Sequence, residues 1–357
     1  IAKTFDKLFE NNELPTKYKE LEDAPHEYFD GARNNILLIH LDHEKVNPGD
    51  VVGVSRSSRV LNQCLMYHSP AAVRAWESVI SDSKYGLFEK CKNNLEQLLD
   101  SEEWKQSVEH LDTILILGAG APSKDKLIID SVDKLSKSLV QLIWVDVSLY
   151  MLANTAKKVM GELADSSLIK PRAIATDFED PERLNQIMEQ LGINNDGGTR
   201  ATFILGFTLS NIHEDDFIRA FSEICKEGDL LIFPMEFVTD DENFGEELKN
   251  RYKSKLAIEL ARATFSIMPN VRLGKTEVLV NPTHFHGSSE KSYKLEFRTH
   301  VTYEGKPAIR HWVTTATATR HPRQIYLDFL KQHGFNYFTS VENHGVETLI
   351  FKFSKIS

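Results

Sequence analysis

The apolar run Thr113-Ile114-Leu115-Ile116-Leu117 leads straight into Gly118-Ala119-Gly120-Ala121-Pro122-Ser123-Lys124. A helical pattern follows, in Leu127, Ile128, Ile129, Val132 and Leu135. Strand, glycine turn and helix in that order expose backbone N–H groups at a helix start. This suits an anionic or polar nucleotide-like ligand. Ser123 stands where a dinucleotide loop carries its third glycine, so the loop alone does not specify a dinucleotide.

The rhythm continues along the chain. Gln141 to Val145 reads as a strand ending at Asp146, and Arg172 to Thr176 as one ending at Asp177. Thr202 to Leu205 ends at Gly206, and Leu230 to Phe233 forms a fifth run. Helical patterns lie between them, one through Leu152, Ala156 and Val159, another through Phe217, Phe221 and Ile224 that should close at Gly228. Apolar strands alternating with helices imply a parallel sheet covered on both faces.

Upstream, Ser69-Pro70 reads as the start of a helix bearing Val73, Trp76, Val79 and Ile80; a second helix carries Leu87, Phe88, Leu95, Leu98 and Leu99. After Pro234 the pattern changes. It gives a long helix from about Phe244 to Met268 and strand-like segments Tyr293 to Val301 and Ala308 to Thr317, joined by a turn at Glu304 to Pro307. The end returns to the first style, with a helix from Gln324 to His333 and a strand from Glu347 to Phe353. The expected division is a mainly helical substrate region over 1–100, a nucleotide-fold domain over 101–235 and 321–357, and an inserted α+β substrate region over 236–320.

Composition narrows the function classes. The 357 residues are 41% hydrophobic and carry a net charge of −10 without a dense Lys/Arg block, which argues against a nucleic-acid binder. No apolar run is long enough for a transmembrane helix, and Ile1 to Asp6 shows no signal-peptide pattern. Cys64, Cys91 and Cys225 form no metal or disulfide spacing, so a reducing, cytoplasmic setting is expected, with Cys225 a buried structural thiol. His284 and His286 fall on one face of an expected strand, with His68, His213, His311 and His321 scattered elsewhere. No carboxylate or cysteine accompanies the pair, and no metal is expected.

Ligands of open parallel sheets bind at the carboxyl ends of the strands. Gly118 and Gly120 end the first strand, Asp146 the second, Asp177 the third and Gly206 the fourth. An acid after the second strand can accept both hydroxyls of a ribose, in charge-assisted bonds worth about 1.5–3 kcal/mol each. Asp177 can take an adenine amino group while Phe178 packs on the base. Each acid taken singly fits a helix N-cap equally well; four suitable strand ends in order point to a site. NAD and S-adenosylmethionine both need the ribose acid. The Asp177-Phe178 pair and the missing third glycine favour S-adenosylmethionine.

These residues resemble the histidine-specific S-adenosylmethionine-dependent methyltransferases of the ergothioneine-pathway type. The resemblance covers about 113–240 and rests on Leu117 to Lys124, Val145-Asp146-Val147-Ser148, Asp177-Phe178-Glu179 and Leu205-Gly206-Phe207-Thr208-Leu209-Ser210-Asn211. It implies a class-I methyltransferase-like α/β fold, a doubly wound, mostly parallel sheet with an added α+β substrate region. It implies cofactor contacts from Gly118, Lys124, Asp146, Asp177, Phe178 and Gly206, with Lys124 near the cofactor carboxylate. It implies a substrate contact from Asn211.

That family reads its amino acid with a Glu and a Ser on a late strand. The corresponding stretch here, Val313 to Thr319, has no carboxylate. Free histidine is therefore not the expected acceptor. Methyl transfer to the nitrogen of a small amine or amino-acid derivative is expected, with a small-molecule substrate and neither nucleic acid nor membrane as partner; the sequence leaves the oligomeric state open. His213 reads either as a general base or as a helix-start histidine facing water, and Glu236 as a base or ammonium anchor. Tyr67, Trp76, Tyr303 and Trp312 read as core packing or pocket wall. Two other classes stay open: a cofactor-binding regulator without turnover, and an NAD-linked oxidoreductase.

Overall fold

The apolar runs become neighbouring strands of one sheet. In the computed structural model, residues 38–40, 67, 69–82, 86–163, 168–193, 198–267, 271–303 and 310–356 are described. Cys64, His68, Met268, Ala308 and the Glu304–Pro307 turn lie outside them. The strands are β1 (Leu38–His40), β2 (Leu111–Leu117), β3 (Val140–Asp146), β4 (Ile169–Ala175), β5 (Thr199–Ile204) and β6 (Leu230–Glu236). A second group comprises β7 (Val271–Thr283), β8 (Ser292–Tyr303) and β9 (Arg310–Arg320), and the chain closes with β10 (Phe335–Asn343) and β11 (Val346–Phe353). The large sheet runs β1-β4-β3-β2-β5-β6-β11-β10. The six strands from β1 to β6 pair in parallel; β11 runs antiparallel to both its neighbours. This is the doubly wound, mostly parallel α/β sheet expected, and its winding reverses between β2 and β5.

Alternation along each strand sends side chains to opposite faces. Ile114 and Ile116 of β2 face helices α2 (Leu87–Leu99), α3 (Glu102–Val108), α4 (Pro122–Leu135) and α5 (Leu149–Leu163). Leu115 and Leu117 face the layer of α6 (Pro181–Gln190), α7 (Glu214–Ile224) and α10 (Arg323–Gln332). Helix α1 (Pro70–Ile80) starts as its sequence predicts, with Ser69 Oγ accepting from the N–H of Ala72.

The separate sheet β7-β8-β9 is antiparallel. Val278, Leu295, Phe297, Ala316 and Ala318 on its inner face pack against α9 (Lys255–Ala263) and Val79 of α1. Among the described residues no helix is long and apolar enough to cross a membrane.

The structure corrects several expectations. The long helix after Phe244 is broken into α8 (Phe244–Tyr252), α9 and a short 3₁₀ turn, Thr264–Ile267. Ser254 causes the break: it leaves the helix and caps α9 by accepting from Ala257 N–H. Helix α7 ends at Cys225 in extended backbone, so Gly228 is not its C-cap; its positive φ of 88° serves the following turn. His284 and His286 do not share a strand face. Strand β7 stops at Thr283, and His286 sits in a turn at φ 49°. β7 itself escaped the sequence reading: it is an edge strand of partly exposed residues in which only Val278 is buried. Four more of the described elements, β1, α3, α6 and β10, also went unread.

A buried ion pair ties β5 to the turn before β6. Asp229 accepts from Arg200 N–H and Lys226 N–H and lies 3.1 Å from the Arg200 guanidinium, both side chains almost fully buried. Asp229→Ala leaves that guanidinium without its carboxylate and should cost about 3–5 kcal/mol. Urea denaturation with the spectroscopic signal of the core tryptophans measures this; a loss below about 1 kcal/mol would contradict the assignment.

Candidate functional site

Where β2 and β5 diverge, the carboxyl edge of the sheet opens into a cavity of about 740 Å³, its mouth included. Seven of the residues singled out from sequence line it: Gly118, Gly120, Asp146, Asp177, Phe178, Gly206 and Asn211. Local backbone brings them there. Gly118 and Gly206 adopt φ of 82° and 75°, a region costly for any residue with a Cβ. A Cβ on Gly120 would stand 3.1 Å from both Met151 Cε and Trp76 Nε1, so a side chain there would make these neighbours shift.

Asp146 organises this edge. One of its oxygens accepts from Ser148 N–H at 2.7 Å, and Ala119 N–H of the glycine loop also points at the carboxylate. Ser148 Oγ in turn donates to the carbonyl of Tyr67 and accepts from Met151 N–H. Burial pushes Asp146 up to about 8; the two N–H groups pull it down and Asp177 adds repulsion. Glu179, which also lines the cavity, is pushed up to about 7 by burial and by Asp177, with His213 N–H acting against the shift.

Helix α1 closes one side. Trp76 Nε1 donates to Gly120 O at 2.7 Å, and Tyr67 meets the Trp76 ring edge-on at 6.2 Å. Neither contact is visible in local sequence, although both aromatic residues were candidate wall residues. Met151, Thr208 and Glu179 were not singled out individually.

Three expected site residues stand elsewhere. Lys124 begins α4 pointing into the protein, its ammonium 4.3 Å from the centre of the Phe88 ring; it does not line the cavity, because α2 covers it. Its Nζ has no hydrogen-bond partner among the described residues, and burial pushes its pKa down. His213 is exposed at the start of α7, outside the cavity, so of its two readings the water-facing one describes its position. Glu236 is buried and committed: it pairs with Arg251 and with Arg320 Nε at 3.1 Å. Burial raises its pKa, but Arg320 and Arg251 more than offset that and hold it below the usual carboxylate range. In this arrangement its carboxylate is committed to the two arginines.

A second cavity adjoins the first through Tyr67, Trp76, Gly206 and Asn211, which line both. The Asn211 side chain makes no hydrogen bond to other described residues, so its amide is free at the junction. A 3₁₀ turn, Thr208–Asn211, carries it, and the preceding Phe207 is held at φ 63°. Among the described residues, no three His, Cys, Asp or Glu side chains converge as a metal site.

No family model matches the chain, and no curated protein matches it. Solved structures give distant likenesses. An S-adenosylmethionine-dependent methyltransferase from Clostridium acetobutylicum is 13% identical, covering 73% of this chain and 92% of that one, with a TM-score of 0.38. A glycopeptide N-methyltransferase complexed with S-adenosylmethionine is 10% identical over 68% and 87%, with a TM-score of 0.34. Magnesium protoporphyrin IX methyltransferase from Synechocystis is 11% identical over 79% and 94%, with a TM-score of 0.40. At such values no family is assigned from likeness, and the functional reading rests on the chain's own residues.

The titration of Asp146 is testable without a ligand. Its folded pKa of about 8 lies above the unfolded value near 3.9, so the folded state holds the proton more tightly. That stability is fully present below about pH 4 and is lost as pH rises through about 8. Asp146→Asn keeps an acceptor for Ser148 N–H but cannot ionise. Thermal melts at about pH 6 and pH 9 should show the variant gaining on the parent at the higher pH; an unchanged difference between them would contradict the raised pKa.

Proposed function

We propose that the chain is an S-adenosylmethionine-dependent methyltransferase that acts on a nitrogen of a small molecule. The observation that carries this is the convergence, in one cavity at the reversal of the sheet, of a tight glycine loop, an acid after β3, an acid–aromatic pair after β4 and a glycine after β5. The cradle fits a nucleoside. Gly118 and Gly120 leave the backbone bare, and Asp146, half-satisfied by Ser148 and Ala119, retains acceptor capacity for ribose hydroxyls. Phe178 offers its ring to the base and Asp177 an acceptor for an exocyclic amine. Ser123 in place of the third loop glycine argues against the dinucleotide alternative.

The cofactor supplies a methyl group on a positively charged sulfur, open to in-line attack by a lone pair. What the chain supplies is position. Trp76 and Tyr67 enclose the junction of the two cavities, and Asn211 presents a free amide there to orient the acceptor. Holding nucleophile and methyl group in near-attack geometry accounts for most of what such a reaction needs. A neutral amine requires no base in the transfer step, which suits the removal of His213 and Glu236 from the cavity. The same removal is the one observation that favours the second reading, a cofactor-binding protein without turnover.

Asp146→Ala tests the central contact. At about pH 9, where the carboxylate is ionised, loss of one charge-assisted bond should weaken S-adenosylmethionine binding at least about tenfold by calorimetry. A folded variant that binds the cofactor as tightly as the parent would overturn the assignment of Asp146 to the ribose.

A further inference from the structure

The second cavity carries information on the acceptor. It encloses about 570 Å³, its mouth included, between α1, α9 and the inner face of the β7-β8-β9 sheet. Ala316 and Ala318 on β9 stand opposite Phe297 and Leu295 on β8, and the small side chains leave the space open. These two alanines lie in the stretch where the resembled family carries its substrate-reading carboxylate. Leu260 and Val79 add to the wall.

No charged side chain lines this cavity among the described residues. Two charged groups, Arg320 and Glu236, sit behind its wall, and the acids Asp146, Asp177 and Glu179 line the adjoining cavity. Arg320 donates to Tyr252 Oη at 3.1 Å and its guanidinium carbon lies 5.1 Å from the centre of the Phe207 ring; Tyr252 and Phe207 are both wall residues. The guanidinium is committed to Glu236, Ser210 Oγ and Thr319 O. It has no face to offer a carboxylate, and Glu236, held by two arginines, has none to offer an ammonium. An amino acid entering as a zwitterion would leave two charges unpaired in an apolar chamber, which is strongly unfavourable.

We propose that the second cavity is the acceptor site and that it selects an apolar, ring-sized amine in its uncharged form, lacking a carboxylate. This rests on the methyltransferase reading. The cavity meets the cofactor cavity at Asn211, Trp76 and Tyr67, so an amine hydrogen-bonded to Asn211 has its nitrogen at the junction. In the transfer the nitrogen lone pair forms the new C–N bond while the C–S bond breaks. The bonding pair stays on sulfur as the neutral thioether, and the positive charge passes to nitrogen. The product leaves as the ammonium ion and loses its N–H proton to bulk water. The Trp76 and Tyr67 rings, set edge-to-face, suit a cation on either side of that step.

The test uses indoline and N-methylaniline, which are uncharged near neutral pH, against histidine and phenylalanine. Each is titrated by ligand-observed NMR into protein saturated with S-adenosylhomocysteine. Ala316→Leu and, as a second variant, Ala318→Leu fill the cavity from one wall. The expected result is binding of the two neutral amines in preference to both amino acids, weakened at least tenfold in whichever variant keeps S-adenosylhomocysteine affinity within threefold of the parent. Tighter binding of histidine or phenylalanine would overturn the proposal and leave the methyltransferase reading standing. So would neutral amines that bind neither parent nor variant, or both equally. Failure of S-adenosylhomocysteine itself to bind the parent would overturn the methyltransferase reading, and this proposal with it.

Discussion

The contact between the Asp146 carboxylate and the backbone beside it holds the functional edge of this molecule together. From the end of β3 it receives the N–H of Ser148, at the start of α5, and faces Ala119 in the glycine loop after β2. Two adjacent strand ends are thereby locked to one carboxyl group. Ser148 passes the constraint on, through its hydroxyl, to the carbonyl of Tyr67, and so to the aromatic wall. The carboxylate is buried and its pKa raised, so the arrangement stores a readiness to accept further hydrogen bonds.

The second sheet is fixed to the first by buried polar groups. Arg320, at the end of β9, binds Glu236 at the end of β6 and Ser210 in the turn that carries Asn211. Nearby, His321 bridges Glu214 Oε2 at 2.8 Å and Ser292 Oγ at 3.0 Å, while Thr319 Oγ1 donates to Glu214 Oε1 at 2.6 Å. Each of these side chains is buried or half-buried, and each charge has its partner, the condition under which buried charges are tolerated. Their shared effect is to set the Thr208–Asn211 turn against β9, and so to join the two cavities at Asn211.

How much of this was legible in sequence follows from distance along the chain. The strands β2 to β6 and the residues at their carboxyl ends were readable because apolar runs, glycine turns and terminal acids are local signals. Seven expected site residues meet for that reason. Lys124 was misplaced because the helix that buries it, through Phe88, lies well upstream and no local pattern announces the contact. Glu236 was misread because its partners, Arg251 and Arg320, come from two other segments. Trp76 reaches the carbonyl of Gly120 across 44 residues, a bond that amphipathic spacing does not reveal. Strand β7 was missed since its edge position leaves almost no buried residue to mark it. The alanines of β9 were noted as the absence of a carboxylate, but only the packing of β8 and α9 around them turns that absence into a cavity.

The central claim is that the edge organised by Asp146 is a site for S-adenosylmethionine and not for a dinucleotide. Calorimetric titration of the purified protein with S-adenosylmethionine, S-adenosylhomocysteine and NAD, in the same buffer, tests it most directly. Saturable one-to-one binding of both sulfur nucleosides, with no heat of binding for NAD at the same concentrations, is the expected result. Saturable binding of NAD, with neither sulfur nucleoside bound, would contradict it.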